Sequence, residues 1–167
     1  RPGPVWLDIP IDIQGKKINK KNLQRYYPKI IKHIPNKSLE LRINKLINNS
    51  ERPVFWFGNG IKIANCSNLL HKILKKLNFP FFQSWAAIDI IETNHKLNFG
   101  RPGVYGNRAS NLILQNSDLV IAIGTRLSIP MMGYVEEEFA RNAKVIYVDI
   151  DKTEFSKFKN KKKFILY

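Results

Sequence analysis

Three apolar runs end in residues suited to holding phosphates or sugars. Gly58-Asn59-Gly60 follows the run 54–57, Gly124-Thr125-Arg126 follows 118–123, and Asp149-Ile150-Asp151 follows 144–148. Two glycines at a strand-to-helix turn let the backbone approach a phosphate, and the next helix aims its free N–H groups and positive dipole end at it. The alternative is a tight turn that needs glycine for its dihedral angles. Arg126, just past a glycine, can contact a phosphate or stack on an adenine, or form a surface ion pair. A carboxylate such as Asp149 can accept from ribose hydroxyls or an adenine amine, or cap the next turn. Together the three ends describe one nucleotide-sized rim.

The usual dinucleotide fingerprint is missing. Its third glycine would stand at Ile63, and Phe81-Phe82-Gln83-Ser84 offers no acid for a ribose. That argues against a standard nicotinamide site. Catalytic and metal-binding sets are also missing from the pattern. His33, His71 and His95 lie in no metal-ligand spacing. Cys66 sits on an apolar helix stripe and reads as a core residue. Glu136-Glu137-Glu138 reads as a solvated face. The expectation is a chain with no catalytic residue and no metal ligand of its own.

The elements that must position the rim alternate in type. Residues 1–14 carry Val5, Leu7 and Ile9 alternating with Trp6 and Asp8, a strand pattern bounded by prolines. Residues 15–37 are polar and basic, broken by Pro28 and Pro35, and read as a linker. A helix follows with Ser38 as its N-cap and Leu39, Ile43, Leu46 and Ile47 at helical spacing. The bulky run 54–57 predicts a strand buried on both faces. Cys66, Leu69, Leu70, Ile73, Leu74 and Leu77 predict an amphipathic helix with one continuous stripe. Strands are predicted at 79–82, 118–124, 144–151 and from 164, with helices over 107–116 and 134–140. Alternation from 53 to 167 means a parallel sheet with helices on both faces. Such sheets bind ligands beyond the carboxyl ends of their strands, where strand order reverses. The rim therefore requires Phe57, Ile123 and Val148 to end side by side on one edge.

Composition bounds the rest. The chain has 167 residues, 44% of them hydrophobic, enough for one domain with a real core. A single cysteine excludes an internal disulfide framework and makes a reducing cytoplasm the default compartment. No apolar run approaches the roughly 20 residues that span a bilayer, and no leader is visible. The net charge of +15 raises nucleic acid as a partner, but the lysines are scattered and no recognition motif accompanies them. Neither nucleic acid nor membrane is expected.

In order, these motifs resemble a known family. Arg1-Pro-Gly-Pro-Val with Asp8-Ile-Pro-Ile-Asp12 looks like the end of the N-terminal domain of thiamine diphosphate-dependent enzymes of the acetolactate synthase type. Arg52-Pro53-Val54, Gly58-Asn59-Gly60, Gly100 to Gly106 with Ala109 and Asn111, the segment 118–126 and Val148-Asp149-Ile150-Asp151 are similar to that family's central domain. The resemblance implies a three-layer, Rossmann-like α/β fold with a six-stranded parallel sheet flanked by helices. Residues 1–14 would end the pyrimidine-binding domain, 15–37 would be the linker and 38–167 the central domain. The parent would be a transferase or lyase that decarboxylates a 2-keto acid and transfers the remaining unit. Its thiamine diphosphate and Mg2+ sites would lie outside this chain. FAD or ADP would bind here, at Gly58, Asn59, Gly60, Ser84, Trp85, Ala86, Tyr105, Gly124, Arg126, Asp149 and Ile150. Partners would be the parent's other domains and further copies, as a dimer or tetramer. Two departures stand out: Tyr105 where the synthases have His, and Leu127-Ser128-Ile129-Pro130 where they continue with an acid pair and a second arginine. A stand-alone nucleotide-binding or regulatory module of the same fold is the alternative.

Overall fold

The computed structural model describes residues 3–27, 36–159 and the backbone of 164–166. Pro28, His33 and Pro35, which figured in the sequence reading, lie outside the described residues. The chain divides into two compact units, Arg1–Asn36 and Lys37–Tyr167.

In the first unit the predicted strand does not form. Residues 3–10 run without ladder partners into a one-turn helix, α1 (Ile11–Gln14), and a 3-10 turn follows at Lys20–Asn22. Pro4 and Pro10 remove ladder donors from this stretch. The Pro10 carbonyl instead accepts from the N–H groups of Ile13 and Gln14 at 3.0 and 3.1 Å. Val5, Trp6 and Leu7 are exposed. Alternation marks a strand only where a second strand is available to pair with it.

The second unit is built on a parallel sheet. Helix α2 (Lys37–Asn48) precedes β1 (Pro53–Phe57); α3 (Gly60–Ile63) and α4 (Ser67–Leu74) lead to β2 (Phe81–Gln83). Then come α5 (Arg108–Asn116), β3 (Leu119–Ile123), α6 (Ile129–Met132), β4 (Lys144–Val148) and β5 (Phe164–Leu166). The order is β2-β1-β3-β4-β5 and every pair is parallel. Five strands pair among the described residues, where the family resemblance implied six. The apolar run 88–91 adds no strand. Ile90 and Ile91 are buried in the core instead.

Each face of the sheet has its own core, because side chains alternate along a strand. Val54, Trp56, Phe82, Val120, Ala122, Val145 and Tyr147 pack with Leu114 of α5, Phe139 and Phe158. Phe55, Phe57, Phe81, Ile121 and Ile146 pack with Leu70 and Leu74 of α4, and with the partly buried Ile43, Leu46 and Ile47 of α2. Burial on both faces explains why β1 and β3 read as unbroken apolar runs.

Three helix expectations need correction. Ser38 is not the cap of α2; the helix already begins at Lys37. The stripe on α4 is narrower than its sequence implied. Leu70 and Leu74 are buried, Cys66 and Leu77 pack partly against them, but Leu69 and Ile73 face solvent at 56% and 42% exposure. A helix lying on one sheet face buries only the row directly beneath it. In place of a helix over 134–140 there is one 3-10 turn, Glu136–Glu138, which ends before Ala140 at φ 42°. Its acids are not merely solvated. Glu136 accepts from the backbone N–H of Lys159 at 2.9 Å and Glu138 pairs with Arg141 at 3.3 Å.

At the amino edge, Asp118 ties β3 to the approach of β1. Its carboxylate accepts from the Ser50 hydroxyl, from the N–H of Glu51 at 2.7 Å and from that of Arg52 at 3.0 Å. Burial pushes the Asp118 carboxyl up, but the hydrogen bonds from Ser50, Glu51 and Arg52 outweigh it and hold it below the usual value of 3.8. A depressed carboxyl stabilises the fold above its unfolded pKa and loses that contribution as pH falls through the folded value.

Two predictions follow the packing. Leu74→Ala lowers unfolding free energy by about 2–4 kcal/mol, and Leu69→Ala by less than about 1 kcal/mol, measured by urea denaturation. Asp118→Asn costs about 1–2 kcal/mol at neutral pH, and the gap between variant and wild type closes as pH is lowered below about 4.

Candidate functional site: the carboxyl edge of the sheet

The register brings the three predicted strand ends together. Phe57 lies opposite Ile123, Ile123 opposite Val148, and Gln83 opposite Phe57. Four turns therefore leave one edge. The chain moves from β1 outward to β2 and then returns to β3 on the other side of β1. Strand order reverses between β1 and β3, where open parallel sheets form their binding crevice.

At that crevice, Gly58-Asn59-Gly60 packs directly onto the turn at Gly124. Gly58 N–H donates to the Ile123 carbonyl at 2.9 Å, Gly60 N–H to the Gly124 carbonyl at 2.9 Å, and Gly124 N–H to the Val148 carbonyl at 2.8 Å. A Cβ on Gly58 would overlap the Gly124 carbonyl oxygen, and one on Gly60 would lie 2.6 Å from the Gly124 Cα. Gly58 and Gly60 do not have positive φ; Gly124 does, at 60°. The first two glycines are thus required by contact between two turns, and the third by contact and by its dihedral as well.

That contact occupies the donors a phosphate would need. Besides Gly58 and Gly60, the N–H of Ile61 donates to Gly58 and that of Lys62 to Asn59. Asn59 is partly buried, and its side chain caps nothing. Helix α3 spans a single turn, so it concentrates little dipole.

Ser84, Trp85 and Ala86 follow β2, and Ser84 N–H donates to the Phe57 carbonyl at 2.9 Å. Trp85 is 54% exposed, and the Arg101 guanidinium lies 4.8 Å from its ring centre. This cation–π contact joins the turn after β2 to the loop 100–107. The loop is pinned by α5. Asn111 holds the Gly103 backbone through two hydrogen bonds of 2.8 and 3.1 Å, and the Ser110 hydroxyl donates to the Arg101 carbonyl at 2.8 Å. Asn107 caps α5 by accepting from Ser110 N–H at 2.9 Å. Val104 N–H donates to Pro130 at 2.8 Å, which sets the loop beside α6. Tyr105 at its tip is exposed.

Arg126 takes the ion-pair alternative. Its Nε lies 3.1 Å from Glu154, whose side chain is only 9% exposed and also pairs with Lys157 at 2.9 Å. Lys157 donates to the Arg126 carbonyl as well. Asp149 accepts from the Asp151 N–H at 2.9 Å and faces the Tyr147 hydroxyl at 3.4 Å. Asp151 is the residue that caps the following turn, accepting from Thr153 N–H at 3.0 Å. Ile150 is exposed.

The edge fits the two ends of an adenine nucleotide unequally. Asp149, with exposed Ile150 beside it, suits a ribose and a base. The diphosphate of FAD is offered few donors at Gly58–Gly60: the N–H groups of Gly58 and Gly60 are engaged, Arg126 is shared with Glu154, and Leu127-Ser128-Ile129-Pro130 brings no second cation.

Sequence reasoning missed Gln83 and Arg101. Gln83 is buried beside this edge with one amide oxygen unpartnered. A polar residue closing an otherwise apolar strand was the available signal. Its and Arg101's roles depend on Ile91 and Trp85, distant contacts that spacing does not reveal. Cys66 is a free thiol, partly buried at the start of α4. His71 is exposed, and His95 accepts from Leu97 N–H at 3.2 Å beside Phe81. Among the described residues no three His, Cys, Asp or Glu side chains converge as a metal centre, and no helix is long and apolar enough to cross a membrane.

Fold and edge define an open parallel α/β domain whose strand order reverses between β1 and β3. The chain belongs to the family described as thiamine pyrophosphate enzyme, central domain, whose model matches residues 41–166. It is similar to acetolactate synthase isozyme 1 large subunit of Escherichia coli, 33% identical over 159 residues, covering 95% of this chain and 28% of the relative. It is 34% identical to the probable acetolactate synthase large subunit of Methanococcus aeolicus, with 94% and 27% covered. The acetolactate synthase large subunit of Corynebacterium glutamicum is also 34% identical, with 95% and 26% covered. The chain thus spans about a quarter of the length of these relatives.

The turn contact generates a prediction. Gly60→Ala destabilises the protein by about 2–3 kcal/mol, while Gly15→Ala, with nothing nearer than 3.9 Å, changes stability by less than about 0.5 kcal/mol. Thermal unfolding of the two variants checks it.

Proposed function

We propose that this chain is the central, structural and nucleotide-binding domain of an acetolactate synthase-like, thiamine diphosphate-dependent enzyme. The parent decarboxylates a 2-keto acid and transfers the remaining unit to a second carbonyl compound. Thiamine diphosphate with Mg2+, bound by other domains, supplies the nucleophilic carbon and the electron sink. This chain provides no catalytic residue. It spaces its neighbours and presents the β1–β3 crevice, where Asp149 and Ile150 receive the ribose and base of ADP or a related nucleotide. Residues 1–14 belong to the preceding domain and 15–37 form the linker; the division at Asn36 supports that boundary. The parent works in the cytoplasm as a dimer or tetramer, bound to neither nucleic acid nor membrane.

The observation that carries the reading is the shared edge of Phe57, Ile123 and Val148 in a member of this family. FAD is the less suited occupant, since its diphosphate finds the Gly58 and Gly60 N–H groups already engaged. The test is made on the full-length protein. Decarboxylation of pyruvate or a longer 2-keto acid depends on added thiamine diphosphate and Mg2+. ADP binds by titration calorimetry, and Asp149→Ala weakens it about tenfold. Turnover unaffected by cofactor removal, or ADP affinity unchanged in the variant, would overturn the corresponding half of the reading.

A further inference from the structure

Residues 16–27 fall outside the central-domain match, which begins at residue 41, and they carry apolar side chains that a free tether does not need. Ile18, Leu23, Tyr26 and Tyr27 are between 62% and 84% exposed. None of the described residues of their own compact unit is buried, so that unit offers them no core. Flexible linkers are rich in Gly and Ser, and stiff ones in Pro. The stretch 16–27 has none of the three. Single exposed apolar residues are ordinary, but a cluster of large ones marks a contact surface.

The segment is also shaped in advance. Asn19 accepts from the Lys21 N–H at 3.1 Å and caps the 3-10 turn at Lys20–Asn22. The Leu23 N–H closes that turn on the Lys20 carbonyl at 3.4 Å, and the Arg25 guanidinium lies 5.5 Å from the centre of the Tyr27 ring. A segment with local structure loses less freedom on docking than a random coil does. Lys16, Lys17, Lys20, Lys21 and Arg25 are exposed, and no acid stands between Asp12 and Glu40 in the sequence. Such a surface repels a second copy of itself and complements an apolar floor with an acidic rim.

We propose that residues 16–27 are a docked strap and not a free tether. In the parent they lie in an acid-rimmed apolar groove on the domain that precedes this one. Ile18, Leu23, Tyr26 and Tyr27 meet the floor of the groove, and the lysines with Arg25 meet its rim. This rests on the reading of residues 1–14 as the end of that domain. Reach favours the same occupant. An extended chain spans at most about 3.5 Å per residue, which holds Ile18 within about 14 Å of residue 14 and Leu23 within about 32 Å. The surface of the preceding domain is thus always at hand, at the high effective concentration that a short connection imposes.

The full-length protein is treated with trypsin, and cuts after Lys16, Lys17, Lys20, Lys21 and Arg25 are timed by mass spectrometry. Leu23→Ser combined with Tyr26→Ser leaves every basic residue in place and removes half of the apolar grip. The wild type is cut in this segment at least about tenfold more slowly than the double variant. Carbodiimide cross-linking, which joins a lysine amine to a carboxyl in direct contact, links the strap lysines to acids of the domain before Arg1. Should the double variant fail to fold, the cross-links decide. The proposal is overturned if the wild type is cut as fast as the variant. Links only to the region beyond Tyr167, links only between isotopically distinguished copies, or pelleting of the protein with phosphatidylserine vesicles also overturn it. Thiamine diphosphate-dependent turnover in a protein cut freely at 16–27 removes the strap and leaves the enzyme reading intact. A protected strap in a protein without such turnover does the reverse.

Discussion

Two turns share a space at the β1–β3 reversal that admits no side chain, and the carboxyl edge is organised around that contact. Gly60 donates to Gly124, Gly58 to Ile123, and Gly124 onward to Val148. The three strand ends are thereby locked to one level. Any Cβ at Gly58 or Gly60 would meet backbone, not a mobile side chain, so the turns would have to separate and carry their strands with them. The same contact consumes the N–H groups through which such turns elsewhere hold phosphates. Rigidity of the edge and a phosphate cradle at this spot compete for the same donors, and here the edge takes them.

Charge is redistributed accordingly. Glu154, whose side chain is nearly buried, holds both Arg126 and Lys157, so two cations at one end of the edge share one acid. A cation with no acid beside it among the described residues lies at the other end of the loop system, where Arg101 rests on Trp85. Arg101 is positioned by a chain of backbone contacts from α5: Ser110 on its carbonyl and Asn111 on Gly103. The first turn of α5 thus fixes the loop on which the partly buried Arg101 sits. The lack of a second arginine after Arg126 is matched by an uncommitted arginine elsewhere on the same side of the sheet.

At the opposite edge, Asp118 just before β3 serves as an anchor. Three donors from residues 50–52 converge on it, joining β3 to the entry of β1. The core between the two edges is two separate aromatic-rich layers, one under α4 and one under α5. Helix length and exposure follow from these layers, which is why Leu69 and Ile73, apolar by type, are left in solvent.

The sequence by itself determined the alternation of elements, the parallel sense of the sheet and the family. Apolar runs such as 54–57 and 118–123 fit only strands covered on both faces, and the glycines and acids that end them mark one rim. It also marked the helix at 107–116, which in the structure starts at Arg108 with Asn107 as its cap. Only tertiary structure decided what those residues do. Whether Gly58 meets a phosphate or Gly124, whether Arg126 is spare or held by Glu154, and whether Gln83 is satisfied all depend on groups tens of residues away. Local spacing encodes backbone preference and periodicity, whereas the partner of a donor or a charge is set by strand order and register. The failed strand at Val5–Leu7–Ile9 shows the same division: alternation specifies a face, and a ladder needs a neighbour.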